Sequence, residues 1–111
     1  MTTNVTFRSN PDVAISVPDL AQAEAFYGDV LGFPLASKTD TLLEFDTGTI
    51  RLWVNKAAQP QSFVPSLDVT DVEAAKQRLE AAGCKILRSG AGGLFFEDPF
   101  GFAIDVIKTP N

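Results

Sequence analysis

Histidine is absent from this sequence of 111 residues, and the chain contains one cysteine. Histidine is the commonest general base near neutral pH, so the usual acid–base catalyst is missing. A nucleophilic cysteine–histidine pair is excluded for the same reason. Cys84 has no partner for an internal disulfide, and we expect it to be a buried, small apolar residue. The remaining polar and aromatic side chains favour a binding site.

Arg51, Trp53 and Asn55 alternate along one short segment, and residues that alternate along a strand share a face. Trp53 offers a flat surface for stacking or a cation–π contact. Two other interpretations stay open: Trp53 is buried against a partner chain, and Arg51 pairs with an acidic neighbour. Further polar groups lie on three other predicted strands, at Asp12, Ser16, Ser66, Asp68 and Asp105.

Length and composition predict one domain, residues 1–111, with 45% hydrophobic residues and a formal net charge of −5. No basic cluster is present, which argues against a nucleic-acid partner, and the acidity would attract a cationic small molecule. No run approaches the roughly 20 apolar residues of a membrane span. The first residues lack a signal pattern, so we expect a cytoplasmic location.

The segment from Val17 to Leu35 predicts a strand end, a helix over 19–31 and a second strand. Asp19 and Gln22 have the spacing of a capping box, and Gly32 suits the end of the helix. Apolar residues recur at helical spacing between them, and Pro34 favours an extended segment after the helix. Further strands are predicted over 12–17, 35–38, 41–46 and 50–55.

The second half repeats this plan after a linker-like run over 56–62. Val17 and Val69 lie 52 residues apart, as do Asp19 and Asp71. Strands are predicted over 63–69, 85–88, 93–97 and 102–107, and a helix over 70–82 with Thr70 and Glu73 as its capping box. The spacing predicts two βαβββ modules, residues 12–55 and 63–107, preceded by a polar arm over 1–11.

Such a duplication predicts an α+β fold in which two tandem βαβββ modules form a curved mixed sheet around a cup. The sheet face that carries no helix lines this cup, which is the natural place for a ligand. Exposed strand edges and an apolar concave face would favour a homodimer, and the arm could cross to the partner. Four phenylalanines crowd the last hairpin, and we expect core or interface positions for most of them: Phe95, Phe96, Phe100 and Phe102.

Two motifs resemble the hallmarks of the vicinal oxygen chelate superfamily, which includes glyoxalases, extradiol dioxygenases, fosfomycin-modifying enzymes and bleomycin-resistance proteins. One is Asp-Leu followed by Phe-Tyr-x-x-Val-Leu-Gly-Phe, ending at Phe33. The other is Glu-Asp-Pro-x-Gly before the last strand, beginning at Glu97. The resemblance covers nearly the whole chain and implies the glyoxalase/bleomycin-resistance fold. In small members of the group, a second chain often completes the cup.

The resemblance also implies four positions that hold a metal ion in metal-dependent members. Alignment of the flanking residues places Asp12, Arg51, Val64 and Asp105 there. Val64 has no donor atom and Arg51 brings a positive charge, so we expect neither a transition metal nor another cofactor. A carboxylate site would need Asp12, Asp105 and a helper such as Glu44 or Glu97. We predict instead that Arg51 reaches Asp105 and replaces the missing cation.

Three functions follow as hypotheses. The first is a metal-independent binding protein, similar to the bleomycin-resistance branch, that sequesters a drug or metabolite. Its ligand-binding residues would be Asp12, Arg51, Trp53, Val64, Ser66 and Asp105, and antibiotic resistance would be a possible role. The second is a lyase or dioxygenase-type enzyme with an atypical metal site. The third is an interaction or sensory module whose cup is vestigial.

Overall fold

The structure, a computed structural model, describes residues 5–109. These residues form two compact units. The first unit is Pro11–Val64, and the second combines the segment that ends at Asn10 with the segment that begins at Pro65. Eight strands occur, and their bounds are β1 Arg8–Val17, β2 Leu35–Lys38, β3 Leu42–Asp46, β4 Arg51–Lys56, β5 Gln61–Val69, β6 Lys85–Gly90, β7 Gly93–Glu97 and β8 Ala103–Lys108.

The first unit has the strand order β2-β3-β4-β1, with antiparallel β2–β3 and β3–β4 pairs and a parallel β4–β1 pair. One face of this sheet packs on the helix that follows β1. The alternating residues Leu52 and Val54 of β4 point to this face, where they are buried. The core of the unit consists of Ile15, Ala23, Leu43, Phe45, Leu52 and Val54.

The second unit repeats this arrangement with the order β5-β8-β7-β6, in which β5 and β8 are parallel and the other pairs are antiparallel. Helix α2, Val72–Ala81, covers one face of the sheet. Its core consists of Val69, Val72, Ala75, Leu94, Phe96 and Val106. The predicted α+β fold with two βαβββ repeats is confirmed.

The N-terminal segment is not the polar arm that the sequence suggested. Val5 and Phe7 are partly buried against the core of the second unit, and β1 already begins at Arg8. These two apolar side chains alternate with polar ones, which is the pattern of a half-buried extended segment. The first four residues of the predicted arm lie outside the described residues.

The first helical segment begins as predicted: Asp19 accepts a hydrogen bond from the backbone N–H of Gln22 at 3.1 Å. Only Leu20–Ala23 (α1) is α-helical, and Glu24–Val30 continues in π-helical turns. The amide of Leu31 accordingly donates to the carbonyl of Phe26, five residues back, at 3.0 Å. Gly32 then adopts a φ of 78°, which a residue without a side chain accepts cheaply.

The cap of α2 differs from the prediction. Asp71, not Thr70, precedes the helix, and its carboxylate accepts from the backbone N–H of Ala74 at 3.0 Å. Asp71 is the repeat partner of Asp19, so the same device starts both helices. Several strands also extend beyond the predicted bounds, and β5 begins at Gln61 within the predicted linker. Polar side chains do not prevent backbone pairing, so polarity is a poor guide to strand ends.

Within residues 5–109, no helix is both long and apolar enough to cross a membrane.

Candidate functional site

The helix-free face of the first unit carries the polar residues of β1, β3 and β4. Arg51 and Trp53 alternate with the core residues Leu52 and Val54, so they lie on the opposite face of the sheet. In the strand register, Asp12 is beside Arg51 and Glu44 is beside Trp53. The register therefore brings together side chains that are far apart in sequence.

Glu44 is the buried centre of this face, with a residue exposure of only 8%. Arg51 Nη1 lies 2.7 Å from Glu44 Oε2. The hydroxyl of Ser37 donates to Glu44 Oε1, also at 2.7 Å. Both carboxylate oxygens are thus engaged, and the charges of Glu44 and Arg51 compensate each other. The interpretation that Arg51 pairs with an acidic neighbour is the one observed.

Trp53 is held by a hydrogen bond rather than by packing alone. Its indole Nε1–H donates to Asp12 Oδ1 at 3.0 Å, across the parallel β1–β4 pair. Buried or half-buried indole groups normally find such a partner. The bond restricts rotation of the indole, and a half-buried ring that is restricted in this way is a suitable stacking surface.

The helix-free face of the second unit carries Ser66, Asp68 and Asp105. Asn10 Nδ2 donates to Ser66 Oγ at 2.9 Å and to Asp68 Oδ1 at 2.7 Å. Ser66 is buried, with 5% exposure, and is the register neighbour of Asp105. The sequence prediction missed Asn10 because it was assigned to the arm. Its position on the extension of β1 was the available signal.

A cross-strand row follows on β6, β7 and β8. Arg88 is the register neighbour of Phe95, and Phe95 is the neighbour of Asp105. The guanidinium carbon of Arg88 lies 5.5 Å from the centroid of the Phe95 ring, within the range of a cation–π contact. This row borders a depression of about 240 Å³. Sequence analysis singled out Phe95 and Asp105 but not Arg88.

The metal positions implied by the resemblance do not fit a metal ion. The first pair in register is Asp12 and Arg51, one of which is a cation. Val64 is buried and apolar, and the register neighbour of Asp105 is Ser66 rather than Val64. Among the described residues, no cluster of three or more acidic or cysteine side chains could ligate a cation. The predicted contact between Arg51 and Asp105 joins residues of different units and stays a prediction.

Cys84 is partly buried against the core of the second unit. Burial raises the pKa of its thiol, and the nearby carboxylate of Asp98 raises this pKa further. A raised pKa keeps the thiol protonated and unreactive at neutral pH. This agrees with the structural role expected for Cys84.

The four phenylalanines of the last hairpin have different environments. Phe96 is a core residue, and Phe95 is half-buried under Arg88. Phe100 and Phe102 are exposed by 82% and 68%, so neither belongs to the core of this unit. Asp98 orders the turn that presents them, because its carboxylate accepts from the backbone amides of both residues at 2.9 Å.

Comparison with known proteins matches residues 11–106 to the family model of the Glyoxalase/Bleomycin resistance protein/Dioxygenase superfamily. No curated protein sequence matches the chain. A variant of homoprotocatechuate 2,3-dioxygenase from Brevibacterium fuscum is similar in structure, with a TM-score of 0.73 and 21% identity over 95% of this chain.

The same organism's dioxygenase in complex with 3,4-dihydroxyphenylacetate gives a TM-score of 0.74 and 21% identity over 95% of this chain. The match covers 33% and 37% of these two solved chains, so the present chain spans about a third of the dioxygenase. Identity at this level shows that the fold is shared. It does not show that the substrate is shared. The family match extends over most of the sequence and includes both modules. The chain belongs to the Glyoxalase/Bleomycin resistance protein/Dioxygenase superfamily.

Proposed function

We propose that this chain is a metal-independent small-molecule-binding protein, which sequesters a drug-like or metabolite ligand on the helix-free faces of its sheets. The dioxygenases that share its fold are three times longer than the match, and their chemistry is not carried over. The proposal instead rests on the donor groups that this chain itself presents.

The observation that carries the proposal is the engagement of Glu44 by Arg51 and Ser37. Glu44 was one of the two candidate helpers for a carboxylate metal site, with Glu97, but the two oxygens of Glu44 accept from a guanidinium and a hydroxyl at 2.7 Å each. A cation bound beside them would have to displace Arg51, whose positive charge it would also meet. The alternative of a lyase or dioxygenase with an atypical metal is therefore disfavoured.

Trp53 and Asp12 supply the binding surface that we propose for the first unit. The hydrogen bond from Trp53 to Asp12 fixes the indole, so a flat or cationic group could stack on it without ordering the ring. The net charge of −5 favours such a cationic group. Val64, Ser66 and Asp105 remain proposed contacts on neighbouring strands.

We also propose that the protein is a homodimer. Strands β2 and β6 end the strand order of their units, and several large apolar side chains are exposed, including Phe63, Val30 and Phe26 at 66%, 70% and 47%. A second copy that covered apolar surface would stabilise the assembly. Analytical ultracentrifugation at micromolar concentration tests this, and a monomer near 12 kDa would contradict it.

Ligand binding can be tested through Trp53, because it is the only tryptophan of the chain. A library of drug-like compounds and metabolites is screened by thermal shift, and hits are titrated by intrinsic fluorescence. We expect Arg51→Ala and Trp53→Phe each to weaken binding by about tenfold, consistent with the loss of one charged or stacked contact. Calorimetry measures the affinity of Trp53→Phe, because this variant has no tryptophan. Arg78→Ala, on the exposed side of α2, is the matched control.

Elemental analysis of the purified protein completes the test. We expect less than a tenth of a transition-metal ion per chain. About one tightly bound ion per chain would overturn the proposal and favour the enzyme alternative, and so would a complete absence of ligands that shift the Trp53 signal.

A further inference from the structure

The depression of about 240 Å³ in the second unit is bordered by an arginine and an aspartate. Its lining includes Arg88, Phe95 and Asp105, with Ser89, Gly90 and Gly93 at one end. We propose that this depression binds a small zwitterion, whose carboxylate meets Arg88 and whose ammonium group meets Asp105. This inference rests on the proposed binding function and names the ligand class for one face.

Arg88 is placed to receive an anion. Among the described residues, two salt bridges are formed, Lys38–Glu24 and Arg51–Glu44, and neither involves Arg88. Its guanidinium lies instead over the ring of Phe95. A cation–π contact uses no hydrogen-bond acceptor, so the N–H groups of Arg88 stay available, and a guanidinium matches a carboxylate with two parallel hydrogen bonds.

Asp105 makes a simple anion an unsuitable ligand. It lies two strands from Arg88 in the same cross-strand row, so the two backbones are separated by about 10 Å, which is twice the usual strand spacing. Its carboxylate would repel a second negative charge in the depression. A ligand that also carries an ammonium group converts this repulsion into attraction, because a carboxylate accepts several hydrogen bonds at once.

The volume of the depression and the distance between its charged residues indicate the size of the zwitterion. A depression of about 240 Å³ admits a ligand the size of one amino acid. Gly90 and Gly93 add no side chains at one end. Since each charged contact spans about 3 Å, the two charges of the ligand should be several bonds apart rather than on adjacent atoms.

Three matched compounds test the charge requirement: 4-aminobutyrate, butyrate and butylamine. Each is titrated into ¹⁵N-labelled protein, and amide shifts give the site and the dissociation constant. We expect 4-aminobutyrate to bind at least tenfold more tightly than either compound with one charge, with the largest shifts at Ser89, Gly90 and Gly93. Equal affinity for butyrate, or shifts confined to other residues, would overturn the proposal.

Arg88→Gln removes the charge but keeps a polar side chain. We expect it to weaken binding of 4-aminobutyrate by about tenfold, the loss expected for one partly exposed charged hydrogen bond. Arg78→Gln removes the same charge from an exposed position of α2 and should leave the affinity unchanged. Equal affinity of the Arg88→Gln variant and the native protein would contradict the assignment.

These outcomes separate the zwitterion site from the wider function. Failure of 4-aminobutyrate to bind, in a protein whose Trp53 fluorescence responds to other compounds, overturns this inference alone. Failure of every compound to bind either face overturns the proposed function with it.

Discussion

The two units have the same backbone arrangement but carry different polar residues on their helix-free faces. Both edge strands carry an irregularity at equivalent places, between Leu35 and Ser37 in β2 and between Ile86 and Arg88 in β6. The cross-strand row after each irregularity differs completely. In the first unit it joins Ser37, Glu44 and Trp53; in the second it joins Arg88, Phe95 and Asp105.

The difference shows how a duplicated sheet acquires two kinds of surface. Arg51 of the first unit is neutralised within the unit by a buried carboxylate, whereas Arg88 of the second unit lies over an aromatic ring. Core packing is conserved between the units because both must bury the same helix-facing surface. The helix-free face has no such constraint, so its chemistry is free to diverge.

The largest expected effects concern the hydrophobic cores, which are similar in the two units. Phe45 and Phe96 occupy equivalent positions and are exposed by 0% and 3%. We expect Phe45→Ala and Phe96→Ala each to lower the free energy of unfolding by about 3–5 kcal/mol, because each leaves a cavity in its own core. Chemical denaturation measures the loss. A cost in one unit and none in the other would show that the two cores are not equivalent.

Gly93 marks a place where the units differ in packing. A Cβ at this position would clash with the carbonyl oxygen of Val106, whereas the equivalent position in the first unit holds Leu42. We expect Gly93→Ala to cost about 1–3 kcal/mol, because β7 and β8 must separate to admit the methyl group. Thermal denaturation measures this. Gly92→Ala is the control, since a Cβ there contacts nothing within 4 Å, and an equal cost for both variants would contradict the prediction.

Glu44→Gln tests the ion pair between Glu44 and Arg51. The change keeps the shape of the side chain but removes one charge from its contacts with Arg51 and Ser37. We expect a loss of about 1 kcal/mol, since Arg51 is half-exposed and water weakens the pair. A double-mutant cycle with Arg51→Ala isolates the coupling. A coupling energy near zero would mean that the pair does not organise this face.

The smallest expected effect distinguishes two neighbouring candidates for the cap of α2. Asp71→Ala should cost about 1 kcal/mol, because the amide of Ala74 loses its acceptor. Thr70→Ala should cost close to nothing. Asp19→Ala, at the equivalent position of the first unit, provides the comparison. Urea denaturation of the three variants decides between them, and a greater loss for Thr70→Ala would restore the original capping box.

Local signals in the sequence predicted much of this fold. The glycines that end both helices, Gly32 and Gly83, have positive φ angles as expected, and the Asp19 cap is formed. The 52-residue repeat also pointed to Asp71, the partner of Asp19, although Thr70 was preferred as the cap. These features depend on a few neighbouring residues, so the local sequence is sufficient to predict them.

The contacts of the candidate site depend on register, which local patterns do not encode. Alternation placed Arg51 and Trp53 on one face, but it could not show that Glu44 would lie beside Trp53. It also gave no reason to connect Asn10 with Ser66, or Arg88 with Phe95. Such pairs form only when strands distant in the chain align, and one residue of slippage would exchange their faces.

The irregularities of β2 and β6 have a consequence for how copies of this protein can meet. A strand that adds to a sheet edge needs an unbroken ladder of amides and carbonyls, and a bulge interrupts that ladder. Strands β2 and β6, each at one end of the strand order of its unit, carry such an interruption. These interruptions disfavour the growth of fibres by strand pairing at β2 and at β6. Copies of the protein can still associate through side-chain contacts.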